Sequence, residues 1–344
     1  MTIAEDQEAA STRQRGHAMS GRSIPRQVSR YLALNRLSGI YSLGIIILIF
    51  GIWTPTTFLT VSTVRAIAAD QAVTAIAAMA LILPLAAGLY DLSVAANLGA
   101  AAALVLYLQL HGFSPLVAVL ITLLGGTFVG VVNGLVVVLL EVNSFIATLG
   151  TSSILAAVAY WITGGNQLVG PPVVGWFGTI GHGSSLGVPN PAWVAIGVSL
   201  ILWYLIEWTT VGRYAFAIGA RPEAARLAGV RVNRIMWSSL ACSGLVASAA
   251  GVLLTAELGS TSPDLGPPYL LPAFTAALLG ATQIKANGRV NVFGTLVAII
   301  LLATGIYGLQ LVGAPGFVSD LFNGVALILS VSLAVQASRR DRRT

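Results

Sequence analysis

Apolar residues in this chain come in long blocks separated by short polar interruptions. The blocks fall near 39–56, 68–88, 93–110, 116–139, 144–164, 193–211, 237–257, 269–284, 290–311 and 319–336. Each is 16 to 24 residues long, and roughly 20 helical residues cross the hydrocarbon of a bilayer. One globule of 344 residues cannot bury so many such blocks, so the pattern predicts an all-α, polytopic transmembrane bundle of about ten segments. Pro84 and Pro272 break two of them. Residues 1–37 are polar and unpatterned, and the first apolar block starts too late for a signal peptide. They read as a cytosolic N-terminal tail ahead of an uncleaved helix, with one transmembrane domain over 38–337 and a basic cytosolic tail at 338–344.

Charge sets the orientation. Only 9% of the residues are charged and 56% are hydrophobic, against about a quarter charged in soluble domains. With the N-terminal tail inside and the sides alternating, seventeen of the eighteen basic residues fall on cytosolic segments, and Arg65 alone falls outside. The inside loop 209–236 holds five arginines, whereas the outside loop 165–192 has no Lys or Arg. That asymmetry is the positive-inside signature and places both termini in the cytosol. Adding or removing a pair of spans leaves it unchanged. The formal charge of +6 therefore marks a membrane protein in contact with lipid. A nucleic-acid partner is not expected, because no aromatic residues interleave with the arginines.

Little chemistry is available. Cys242 is the single cysteine, and His17, His111 and His182 lie far apart, so no metal site is expected. A phosphate-binding loop needs Gly-Lys-Ser/Thr, but the one lysine, Lys285, sits in Thr-Gln-Ile-Lys-Ala. No catalytic residues are expected. Ion-coupled transporters embed several charged groups in the membrane. Here Asp91 reads as the one acid well inside an apolar block, with Glu141, Glu207, Glu257 and Asp320 near block ends. Transport must then be downhill, as in a self-contained channel or facilitator, or driven by another subunit.

Three local patterns bear on mechanism. Gly126, Gly130 and Gly134 recur every four residues on one helix face, the small-residue spacing that lets backbones approach within a membrane. Asp91 fits two readings. It caps a helix beginning at Leu92, with Ser93 as a local partner, or it lines a solute path at a broken helix. Asn97 and Asn133 likewise suit either polar lining or interhelical bonds. The polar stretch 212–234 specifies a helix of about two turns. Pro222 suits its first turn, Glu223 its positive end and Arg226 its last turn, and Gly229 is a natural stop. So short a helix is unstable alone and must dock on something, a lipid surface or a partner.

This stretch resembles the cytosolic loop of ABC-transporter permeases of the ribose-type sugar family, in the sugar/branched-chain amino-acid permease superfamily. The family pattern G-R-x-x-x-A-x-G is met by Gly212, Arg213, Ala217 and Gly219, and its acidic-Ala-Ala-Arg-Leu-x-Gly helix by Glu223, Ala224, Ala225, Arg226, Leu227 and Gly229. Gly88-Leu89-Tyr90-Asp91-Leu92-Ser93-Val94 is similar to G-G-I-D-L-S-V-G. Asn133-Gly134, Phe145-Ile146-Ala147-Thr148-Leu149, and Gly280, Thr282, Gly288 and Gly294-Thr295 follow in family order. The chain departs from the pattern at Leu89, at Leu270-Leu271 after Tyr269, and at Asn287. The resemblance implies a vitamin B12-importer-like (type II importer) fold in a bacterial cytoplasmic (inner) membrane. It implies ATPase subunits docked at 212–234, which bind the ATP and magnesium, so that this chain holds no cofactor. It further implies an external solute-binding protein and a second permease, identical or homologous. The implied solute is a monosaccharide or related polyol, and branched-chain amino acids and nucleosides are the superfamily's other solutes.

Overall fold

The computed structural model describes residues 38–170, 175–283 and 289–341. The tail at 1–37, the last three residues, and Lys285, Asn287 and Gly288 lie outside the described residues. Each predicted apolar block contains a helix. In chain order the helices are α1 Ser38–Trp53, α2 Pro55–Phe58, α3 Val61–Ala86, α4 Val94–Leu110, α5 Pro115–Leu139, α6 Ser144–Thr163 and α7 Gly175–His182. They continue with α8 Asn190–Trp208, α9 Thr210–Ala220, α10 Pro222–Leu227, α11 Val232–Leu258, α12 Leu270–Gln283, α13 Val292–Leu311 and α14 Phe317–Asp341. Among the described residues six, namely α3, α5, α6, α8, α11 and α13, are long and apolar enough to cross a membrane.

Local sequence sets several boundaries. The Thr60 hydroxyl accepts from the Thr63 N–H at the start of α3, and Asn143 and Asn291 cap α6 and α13 in the same way. These caps satisfy amide groups that a helix start leaves orphaned. Because Thr60 starts α3 at Val61 rather than 68, Asp70 lies well within the helix instead of at its tip. Asp91 is therefore not the one acid away from a block end, although Asp70 is exposed where Asp91 is buried.

Packing inverts the soluble pattern. The interior is dominated by small residues, such as Ala77, Ala78, Ala102, Ala103, Ala247 and Ala250. Large side chains, including Leu48, Leu124, Phe128, Ile154, Trp161 and Ile201, point outward. Lipid tails are as apolar as leucine, so close backbone contact rather than water exclusion holds such helices together. Helix α11 packs on α5, α4 and α3, while α12 packs on α13 and α14. Helix α3 touches both groups and joins them.

The 165–192 loop carries structure of its own. Strand β1 (Leu168–Val169) pairs with β4 (Ser260–Thr261), so this loop meets the connection after α11 at one end of the bundle. Strands β2 (Ser184–Ser185) and β3 (Val188–Pro189) form a small hairpin. Helix α7 lies between β1 and β2 and rests on α11.

Candidate functional site

The site is built where the chain breaks between α3 and α4. Pro84 cannot donate to the helical ladder, and α3 ends at Ala86. Gly88 then adopts φ +77, a conformation open to glycine without steric cost, and α4 begins at Val94. The helix thus starts two residues later than Leu92, with Ser93 at its N-cap. One Asp91 oxygen accepts from the Ser93 backbone N–H at 3.0 Å and from the Ser93 hydroxyl. The other accepts from Ser243 Oγ of α11 at 2.7 Å.

Neighbouring groups extend this into a network across four helices. The Tyr90 N–H donates to Ser144 Oγ and the Leu92 N–H to Thr148 Oγ1, both on α6, at 3.1 and 3.0 Å. Asn133 of α5 donates to Ser93 Oγ at 2.9 Å and accepts from Thr151 Oγ1 at 2.6 Å. Asn97 donates to the carbonyls of Gly126 and Gly244, tying α4 to α5 and α11. Asp91, Ser93, Asn97 and Asn133 are each at most 3% exposed. In this conformation all four hold helices together. The carboxylate's bonds satisfy a group that would be very costly to bury unpartnered.

The glycine face of α5 lies directly against α11. A Cβ on Gly126 would collide with Ser248, one on Gly130 with the Leu240 carbonyl, and one on Gly134 with Trp237. Gly280 and Gly294 perform the same service between α12 and α13, where Asn291 also donates to the Gly280 carbonyl at 3.2 Å.

The segment after α8 holds the second cluster of predicted residues, and it contains a helix that the sequence pattern did not suggest. Helix α9 runs from Thr210 to Ala220. Gly212 backs onto the Ile206 carbonyl, with no room for a side chain. Gly219 presses on the Ala86 carbonyl, and Gly88 faces the Gly219 Cα in turn. The segment therefore abuts the turn that carries Asp91. Helix α10 follows, with Glu223 in its first turn and Arg226 in its last. Their side chains pair at 3.6 Å on the surface, and Gly229 adopts φ +81 just beyond. Ala225 is buried in a cluster with Ile218 and Val232, while Ala224 is exposed and Leu227 is 91% exposed. Beside α9, Arg213 and Arg289 line a cavity of about 490 Å³ with Glu207 and Phe216. The Arg289 guanidinium sits 5.5 Å from the Phe216 ring centre.

Comparison with known proteins places this architecture. The family model described as "Branched-chain amino acid transport system / permease component" matches residues 63–331. The chain belongs to this family of ABC-transporter permeases, in its ribose-type branch. It is 34% identical over 282 residues to the ribose import permease protein RbsC of Escherichia coli, covering 80% of this chain and 86% of that protein. Its identity to RbsC of Bacillus subtilis is 31% over 300 residues, 87% of this chain and 92% of that one. The autoinducer 2 import system permease protein LsrD of Escherichia coli is 32% identical over 260 residues, covering 74% of this chain and 78% of the relative. No solved structure matches the chain.

The permease match takes in both clusters, the Asp91 turn and the α9–α10 segment. Sequence reasoning named Asp91, Ser93, Asn97 and Asn133 and quoted Thr148 only within the matched Phe145–Leu149 element. It missed Thr151 and Ser243, which bond to Asn133 and Asp91, and Ser144, which with Thr148 accepts from the backbone of the Asp91 turn. Hydroxyl residues are common in membrane helices, and nothing local separates these from the rest. Two of the family departures are also visible. Leu89 packs its side chain into the core at 5% exposure, while Leu271 is half exposed beyond Tyr269.

Proposed function

We propose that this chain is the translocating subunit of an ATP-driven importer for a sugar-type solute, and that α10 is the helix through which an ATPase subunit drives it. The observation that carries the reading is α10 itself. It is a six-residue helix, too short to persist unaided, anchored by one buried alanine with Leu227 left facing outward. An apolar side chain so exposed at a bundle's end is suited to a partner's cleft. The relatives act in ribose and autoinducer 2 import, which supports a sugar-type solute here.

In this reading the chain makes ten spans with both termini cytosolic, in a vitamin B12-importer-like arrangement within a bacterial cytoplasmic membrane. It pairs with an identical or homologous permease, with two ATPase subunits beneath and a solute-binding protein outside. ATP and magnesium stay on the ATPases. Two pairings support the sidedness. Arg213 and Arg289, from two arginine-bearing segments assigned to the inside, line one cavity. The β1–β4 pairing joins two segments assigned to the outside.

The mechanism follows from the contacts. Movement of α10 is passed to α9 and, through the Gly219–Gly88 backbone contact, to the Asp91 turn. There it meets hydrogen bonds from α5, α6 and α11, each replaceable by another hydroxyl. Closely packed helices linked by exchangeable bonds suit two discrete arrangements. Asp91 serves as the clasp of this joint, and contact with solute in the other arrangement remains compatible with it.

The test is solute uptake by Leu227→Asp, Glu223→Ala and Arg226→Ala. The exposed Glu223–Arg226 pair contributes at most about 1 kcal/mol, so membrane insertion stays normal. Uptake falls at least about tenfold for Leu227→Asp if it anchors the ATPase. Wild-type uptake in all three variants refutes the coupling role.

A further inference from the structure

A second polar site lies away from the Asp91 network, between α3, α12, α13 and α14. A cavity of about 160 Å³ is lined by Gln71 and Thr74 of α3, Asn323 of α14, and an apolar wall that includes Pro272, Ile299 and Leu302. At roughly 30 Å³ per water, it holds about five waters or one small polyol. Asn323 is only 7% exposed, and its Oδ1 has no hydrogen-bond partner. A buried amide oxygen left unmatched costs about 1–3 kcal/mol, so this residue is poorly explained by the fold alone. A half-turn of the amide exchanges oxygen and nitrogen, which lets Asn323 offer an acceptor or a donor.

One residue before Gln71 on α3 is Asp70. It lies within electrostatic reach of Glu257 at the end of α11, and both act on Tyr269, one turn before Pro272. Glu257 Oε1 is also buried without a hydrogen-bond partner. Asp70 and Tyr269 are close in sequence to the lining residues Gln71 and Pro272, and Glu257 lies just before the β4 strand. Carboxylates and a phenol accept from and donate to hydroxyl groups.

We propose that the cavity lined by Gln71, Thr74 and Asn323 is a solute subsite for a neutral polyol of about pentose size. Its lining contains amide and hydroxyl groups but no charged side chain. A free amino acid would bring an ammonium and a carboxylate into it without counter-charges, a costly burial. A pentose brings hydroxyls for the polar residues and a C–H face for Ile299 and Leu302. The subsite rests on the importer reading and narrows its solute class.

The test uses Ala303→Cys, on the cavity wall, in a Cys242→Ser background, with Ile306→Cys as a second reporter should the first fail to fold. Labelling of the membrane-embedded full chain with N-ethylmaleimide is timed with D-ribose, D-xylose or leucine. A pentose at ten times its dissociation constant slows labelling about tenfold by mass action. Leucine leaves it unchanged, and adding Asn323→Leu removes the pentose protection without changing the unprotected rate. Labelling indifferent to both pentoses, protection by leucine, or protection that survives Asn323→Leu overturns the subsite. Pentose uptake in the assembled transporter separates the two readings. Uptake without protection sinks the subsite alone, and protection without ATP-driven uptake sinks the importer reading while supporting the subsite.

Discussion

Helices α6 and α11 are almost equally hydropathic, yet 72% of the most apolar stretch of α11 is buried in the bundle against 17% of that of α6. Their side chains explain the difference. Helix α11 carries Ser239, Ser243, Gly244, Ala247, Ser248, Ala250 and Gly251, all buried. Helix α6 presents Phe145, Ile146, Leu149, Ile154, Tyr160 and Trp161 outward. Burial in a membrane is decided by how closely a backbone can be approached and by hydroxyls that bond across helices. Hydropathy measures only the transfer of a helix into lipid, and both helices satisfy it.

Substitutions that exchange the character of these helices test the contrast. The largest effect is expected for Gly130→Ala, whose new methyl meets the Leu240 carbonyl of α11, with the Ala241 Cα at 2.9 Å. Overpacking against backbone costs about 3 kcal/mol, read as a lowered midpoint in thermal unfolding of the detergent-purified protein. Ser243→Ala comes next. It removes one hydroxyl from the buried Asp91 carboxylate and lowers stability by about 1–2 kcal/mol, with a fall in uptake if the network is the moving joint. Gly150→Ala on α6 is the smallest. Nothing lies within 4 Å of the added methyl, and the change stays within about 0.5 kcal/mol. A Gly150→Ala protein as unstable as Gly130→Ala would mean that α6 is covered by another subunit rather than lipid, and the comparison would then describe a dimer interface.

Legibility in the sequence followed sequence distance. Helix α10 was readable almost to the residue, because Pro222, Glu223, Arg226 and Gly229 act within a turn or two of one another. The glycine repeat of α5 was readable as a packing face, though not its partner. Helix α9 was missed because its apolar residues run on from α8, and the turn at Thr209 carries neither glycine nor proline. Asp70 was passed over because the Thr60 cap, which starts α3 before the apolar block at 68, sits among polar residues that look like loop.

The sequence by itself determined that the chain lives in a bilayer, that its basic residues gather in a few polar segments, and where the short helix lies. Those properties depend on composition and on interactions a few residues apart. Tertiary structure alone decided that Ser243 meets Asp91, that Gly219 meets Gly88, and that Asn323 faces Gln71 and Thr74. These partners are 131 to 252 residues apart, and in hydrocarbon a polar group takes whichever partner the helix packing brings within reach.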